Sequence, residues 1–129
     1  LYGSGKGFPD WARARLLRSE ELPLVEDQTG SPTSARELAL AMLTLVEGGH
    51  RGLFHFVNRG EASWLTLGQA LAEELAISPV RIRAIEAAEL NRPAPRPRYS
   101  VLSVERFEKV TGRGVTGWRE ALRQYLQGD

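Results

Sequence analysis

Residues 52–58 read GLFHFVN, and no other stretch of the chain restricts its fold as much. Leu53, Phe54, Phe56 and Val57 run without the apolar and polar alternation of a half-wet strand, which predicts a strand covered on both faces. Such strands sit in parallel sheets, between parallel neighbours and beneath helices on both sides. Little else here supplies that cover. LPLVEDQ (22–28) reads as a short edge strand, because Pro23 cannot donate to a central ladder. VRIRAIE (80–86) sets Val80, Ile82 and Ala84 against Arg81 and Arg83, the alternation of a strand with one wet face. A buried-type strand with so few partners, in a chain that opens at Leu1 on the loop-like LYGSGKGF, reads as a piece of a larger sheet.

Helices occupy most of the remainder. Pro9 and Asp10 suit the first turn of a helix over 9–18, with Trp11, Ala14 and Leu17, joined by Leu16, as its expected apolar side. In GSPTSARELALAMLTLVEGG, Ser34 and Glu37 have capping-box spacing. Leu38, Met42 and Leu45 recur on one face, and Gly48 and Gly49 stop the helix. A third helix begins at Ser63 or Thr66, carries Leu67, Leu71 and Leu75 on one face, and is expected to stop at Ser78 and Pro79. NRPAPRPR (91–98) predicts an extended, stiff segment. Two short helices, 104–111 behind Ser103 and 118–126 with Trp118, Leu122 and Tyr125 inward, close the chain. The alternation of elements implies an α/β or α+β architecture without internal repeats.

Composition narrows the chemistry. The 129 residues contain no cysteine, which excludes thiol catalysis, zinc ribbons and a disulfide scaffold. A formal net charge of +1 leaves no broad positive field for nucleic acid or anionic membrane. No apolar run is long enough to span a bilayer and no leader pattern opens the chain, so a cytoplasmic setting is expected. Fifteen arginines against two lysines suggest a GC-rich or heat-adapted source.

Several motifs dissolve on inspection. GSGKGF (3–8) lacks the Ser or Thr that follows the lysine of a P-loop. Tyr2 and Lys6 have YxxxK spacing, but the glycines between them oppose the helix that would align the two side chains. His50 and His55, the only histidines, lack a third ligand, so no metal site is expected. Two segments retain interest. EDQTGSPT (26–33) gathers amide, hydroxyl and backbone donors at a helix mouth, where they either bind a polar ligand or only cap the helix. Arg92, Arg96 and Arg98 on the proline-rich segment are either pre-organised phosphate forks or solvated surface cations. Together the two segments suggest a cleft that grips a sugar nucleotide.

VEDQTGSPT (25–33), followed by Glu37, Leu38 and Ala39, resembles the DQ-x-GSPT…DLA stretch of dTDP-4-dehydrorhamnose reductases, which are extended short-chain dehydrogenase/reductases. Leu1-Tyr2-Gly3 resembles the family's LYG, GLFHFVN with Ser63-Trp64 its G-x-YH…SW, and RPRYSVL (96–102) its RPxYSxL. The four stretches occur in order across residues 1–102, whereas 103–129 match only as terminal helices. The resemblance implies an α/β, Rossmann-type fold of which residues 1–129 are the C-terminal, substrate-binding unit, with mixed helices and few short strands. Residues 53–57 would then join the sheet of a cofactor domain.

The implied activity is reduction of the C4 ketone of dTDP-4-dehydro-L-rhamnose to dTDP-L-rhamnose with NADPH or NADH. The family's glycine-rich fingerprint and catalytic Thr/Ser and YxxxK precede LYG, so no catalytic, cofactor-binding or metal residue is expected in this chain. Alone it would be inactive and would hold no nicotinamide. Carried over by position, Gln28, Ser31 and Thr33 would line the sugar-nucleotide side, Arg96 would face the diphosphate, and Tyr99 and Ser100 would be its neighbours. Glu26 stands near where related epimerases carry an arginine. Expected partners are the dTDP-sugar and the protein's own N-terminal cofactor-binding part, with a homodimer allowed and neither nucleic acid nor membrane. The alternative is a non-catalytic regulatory relative, like the β-subunits of methionine adenosyltransferase.

Overall fold

The computed structural model describes residues 1–3, 5 and 7–128. Ser4 and Lys6 fall outside them, and with them the Tyr2/Lys6 spacing and part of GSGKGF. The described elements are α1 (Phe8–Leu17), β1 (Leu22–Val25), β2 (Thr29–Gly30), α2 (Ala35–Glu47), β3 (Ala62–Ser63), α3 (Trp64–Glu74), β4 (Ile82–Ile85), a 3-10 turn (Ala87–Leu90), α4 (Glu105–Thr111) and α5 (Trp118–Gln127). Strands β1 and β4 pair in parallel, and β2 and β3 antiparallel. The mixture of helices and short strands is that of an α/β fold.

The core lies where α1, α3 and α5 meet β1. Ala12 and Leu16 of α1, Leu22 and Leu24 of β1, Leu67 and Leu71 of α3, and Trp118 and Leu122 of α5 form one buried cluster. Helix α3 starts sharply because the Ser63 hydroxyl accepts from the Thr66 N–H at 3.1 Å, satisfying a donor the helix itself leaves unpaired. It can lie close on β1 because position 68 is glycine: a Cβ there would stand 2.1 Å from Leu24 Cδ1. Helix α2 begins at Ser34, whose hydroxyl faces the Glu37 N–H at 3.5 Å, and ends at Gly48 and Gly49.

Several expectations are corrected. The buried side of α1 is Pro9, Ala12 and Leu16, while Trp11 and Leu17 are exposed. Helices α1 and α3 approach closely there, so the small Ala12, not the indole, fits the contact. On α2 only Ala41 is buried, and Met42 of the expected stripe is exposed. Helix α3 ends at Glu74, before Ser78. In β4, Ile85 is buried but Ala84 is exposed, because only part of this two-stranded sheet is covered and alternation in sequence does not become alternation in burial.

Residues 53–57 join no ladder among the described residues. The parallel pair is β1 and β4 instead, and no described strand runs beside 53–57 to complete its hydrogen bonds. Arg106 partly substitutes, donating to the Leu53 carbonyl at 2.8 Å while its guanidinium lies over the Phe54 ring. Phe56 packs edgewise on Phe107 of α4. Asn58, fully buried, accepts from the Ser34 N–H at 2.8 Å and donates to the Thr116 carbonyl at 3.1 Å, so one amide ties the start of α2 to the loop before α5.

Candidate functional site

Strand β2 organises the site. On one side Thr29 and Gly30 pair with Ser63 and Ala62 of β3. On the other, the Thr29 N–H donates to the Arg98 carbonyl at 2.8 Å and the Ser100 N–H donates to the Thr29 carbonyl at 2.9 Å. A two-residue strand thus zips the proline-rich segment to the start of α3. Further along, the Tyr2 N–H donates to the Thr33 carbonyl and the Ala35 N–H to the Tyr2 carbonyl, which joins the first residues to the mouth of α2. Asp27 accepts from the Ala87 N–H at 2.8 Å and steadies the turn that leads into residues 92–98.

These links enclose a cleft of about 760 Å3 with two chemically distinct walls. The apolar wall contains Phe8, Trp64 and Leu67, with the Phe8 and Trp64 rings tilted 57° at 4.9 Å between centroids. The polar wall contains Gln28, Ser31, Arg92, Arg96 and Ser100. Gly30 keeps the floor between them open, since a Cβ there would meet the Ser100 hydroxyl at 3.1 Å. Apolar surface with a few convergent polar groups is the ordinary make-up of a small-molecule site.

Of the residues expected from sequence, Gln28, Ser31, Arg96 and Ser100 come together here and two do not. Thr33 is buried and its hydroxyl donates to the Ser31 carbonyl at 2.9 Å, so it shapes the turn behind the wall. Tyr99 is exposed and donates to Glu61 at 2.7 Å, a bond to the carboxylate that raises its pKa. Glu26 is exposed and is not among the lining residues. Sequence reasoning missed Phe8 and Trp64. Their signal, two aromatics each at a helix start, reads as ordinary packing until β2 and β3 bring the starts of α1 and α3 together.

Two polar atoms stand out. The Ser31 hydroxyl and the Tyr2 phenol are buried without a hydrogen-bond partner among the described residues, and both residues line the cleft. Burial, and then the Glu37 charge, push the Tyr2 pKa well above that of an ordinary phenol. The phenol therefore stays protonated and is unsuited to giving up a proton. Among the described residues no group of three His, Cys, Asp or Glu side chains gathers as for a metal. His50 packs edgewise on Phe54 and His55 is exposed. No helix among the described residues is long and apolar enough to cross a membrane.

The family model for the RmlD substrate binding domain matches residues 1–129. The chain belongs to this family. Among its relatives is a dTDP-4-dehydrorhamnose reductase of Mycobacterium tuberculosis, 37% identical over 125 residues, which cover 96% of this chain and 41% of the relative. The chain thus spans well under half the length of that protein. A crystal structure of a dTDP-4-dehydrorhamnose reductase from Clostridium acetobutylicum superposes with a TM-score of 0.91 at 32% identity, covering 98% of this chain and 45% of that one. A second such reductase, from Bacillus anthracis and in complex with NADP, matches over 100% of this chain and 45% of its own, with a TM-score of 0.88 at 24% identity. The fold is therefore that of a portion of the extended, Rossmann-type reductases. In this RmlD-type domain the four stretches that carry the resemblance, LYG, DQTGSPT, SW and RPRYS, are hydrogen-bonded to one another around one cleft.

Proposed function

We infer that this chain is the substrate-binding part of an NAD(P)H-dependent reductase that converts dTDP-4-dehydro-L-rhamnose to dTDP-L-rhamnose. One observation carries the reading: segments dispersed between residues 1 and 100 meet at a single cleft with an aromatic wall and an arginine-bearing wall. Such a cleft suits a ligand with a flat base, a diphosphate and a sugar. Phe8 and Trp64 offer the base a surface, Arg96 offers the diphosphate a bidentate fork, and Gln28, Ser31 and Ser100 offer hydrogen bonds that orient the sugar nucleotide.

The nicotinamide supplies hydride to the C4 ketone when bound, but the residues of this chain do not fit it. The phenol in the cleft is Tyr2, buried and with its pKa raised, which leaves it unsuited to proton transfer. In this reading, binding of NADPH or NADH and proton transfer belong to the N-terminal part of the protein. The same assignment accounts for residues 53–57, an apolar stretch without a ladder, as an edge strand for the sheet of that part. It also places the protein in the cytoplasm, with its soluble substrate.

Calorimetric titration with dTDP and with thymidine tests the reading. Binding of dTDP at least about tenfold tighter than thymidine is expected, since a diphosphate adds charge-assisted hydrogen bonds. Equal affinities, or none for either, would remove the sugar-nucleotide assignment.

A further inference from the structure

Among the described residues the cleft is lined by two cationic side chains, Arg92 and Arg96, and by no Asp or Glu, in a chain whose net charge is only +1. Several other arginines of this surface are paired with acids. Arg59 meets Glu108, Arg83 meets Glu21 and Glu89, Arg119 meets Glu73, and Arg123 meets Glu74 and Glu120. Among the described residues Arg92 and Arg96 take part in none of these ion pairs. Like charges on the lining of one cavity repel each other, and an anion between them relieves that repulsion.

The backbone around them is stiff. Pro93, Pro95 and Pro97 alternate with other residues and fix φ at three positions, so less conformational freedom is lost when the guanidiniums engage a ligand. On the same lining, the buried Ser31 hydroxyl has no hydrogen-bond partner among the described residues. Arg98, two residues beyond Arg96, is different. Its backbone carbonyl is held by Thr29, and the residue does not line the cleft.

We propose that Arg92 is a second diphosphate-binding residue, sharing the diphosphate of the sugar nucleotide with Arg96, and that it sets the preference of the cleft for a nucleoside diphosphate over a monophosphate. This rests on the sugar-nucleotide reading above. A single guanidinium satisfies one phosphate bidentately, while a diphosphate presents two charged groups, one for each fork. A monophosphate leaves one fork unused.

The experiment measures dTDP, dTMP and thymidine binding to the protein at its full encoded length and to its Arg92→Ala, Arg92→Lys, Arg96→Ala and Arg98→Ala variants. Arg92 is exposed in a segment without regular structure, and melting temperatures check that each variant folds. Arg92→Ala is expected to weaken dTDP about ten- to hundredfold while changing dTMP far less and thymidine by less than about twofold. Arg92→Lys should fall between, because an ammonium keeps the charge but not the fork. Arg98→Ala should match the unaltered protein. If Arg92→Ala keeps the diphosphate preference while Arg96→Ala loses it, the assignment of Arg92 fails and the sugar-nucleotide reading stands. An equal loss in Arg92→Ala and Arg98→Ala indicates a general charge effect and also overturns it. If the unaltered protein binds dTDP no better than thymidine, both readings fall.

Discussion

Arg96 and Tyr99 lie three residues apart on one segment, yet only the first meets the cleft. The difference comes from β2: once Thr29 holds the backbone at Arg98 and Ser100, the residue between them points its ring away, toward Glu61. Arg96→Ala should therefore weaken dTDP binding by about 1.5–3 kcal/mol, the range for hydrogen bonds to a charged group, as read by titration calorimetry. Tyr99→Phe should leave that affinity within about twofold, since it removes only a bond at an exposed rim. The residue types for phosphate and sugar recognition were legible in RPRYS and DQTGSPT. Their directions were not, because an irregular segment has no periodicity from which to read a side chain's face. Thr33 makes the same point, as its hydroxyl serves the Ser31 carbonyl and not the ligand.

At the scale of elements, α3 is the part whose sequence and structure agree most closely. Its cap, its apolar face of Leu67 and Leu71, and its closeness to β1 all follow from local chemistry. Gly68→Ala should lower stability by about 1–3 kcal/mol in denaturant unfolding, because a methyl 2.1 Å from Leu24 Cδ1 forces a repacking of the core. Helix α4 is tied on through Glu108, which accepts from both the Arg59 guanidinium and the Val115 N–H. The Arg59 hydrogen bond foremost, with help from Val115, lowers the Glu108 pKa. A lowered carboxylate pKa contributes stability at neutral pH that is lost as pH falls through the folded-state value. Glu108→Gln should accordingly flatten the acid limb of a melting-temperature profile and leave the alkaline limb unchanged. By contrast, α1 misled in part: Trp11, Ala14, Leu16 and Leu17 form a plausible apolar side, but of these only Leu16 is buried, and a neighbouring helix needed the small Ala12 at the contact.

For the whole molecule, the informative feature is an apolar surface left uncovered. Met42 is 58% exposed, Val46 76% and Leu53 75%, and residues 53–57 are extended without a ladder. A helix with apolar residues around much of its circumference is one made to be buried. In the proposed arrangement this surface and this strand face the cofactor-binding part. Amides of 53–57 should then exchange quickly in the 129-residue chain and be protected in the protein at its full encoded length, measured by hydrogen exchange. Equal exchange in both would place that edge elsewhere. The same chain alone should show no substrate-dependent NAD(P)H oxidation in a spectrophotometric assay.

Local chemistry determined much of this protein. Caps at Ser34 and Ser63, stops at Gly48 and Gly49, the edge character of Pro23 and the family stretches are all written in neighbouring residues. GLFHFVN carries an expectation of partners, because a run apolar on both faces must be covered on both, and the proposed arrangement supplies them from the cofactor-binding part. Only the tertiary structure decided that β1 pairs with β4, that Asn58 bridges two loops, and that Phe8, Trp64, Arg92 and Arg96 share one cleft. Those outcomes depend on which distant backbones exchange hydrogen bonds and how closely two helices approach, and neither is encoded within the reach of one turn or one strand.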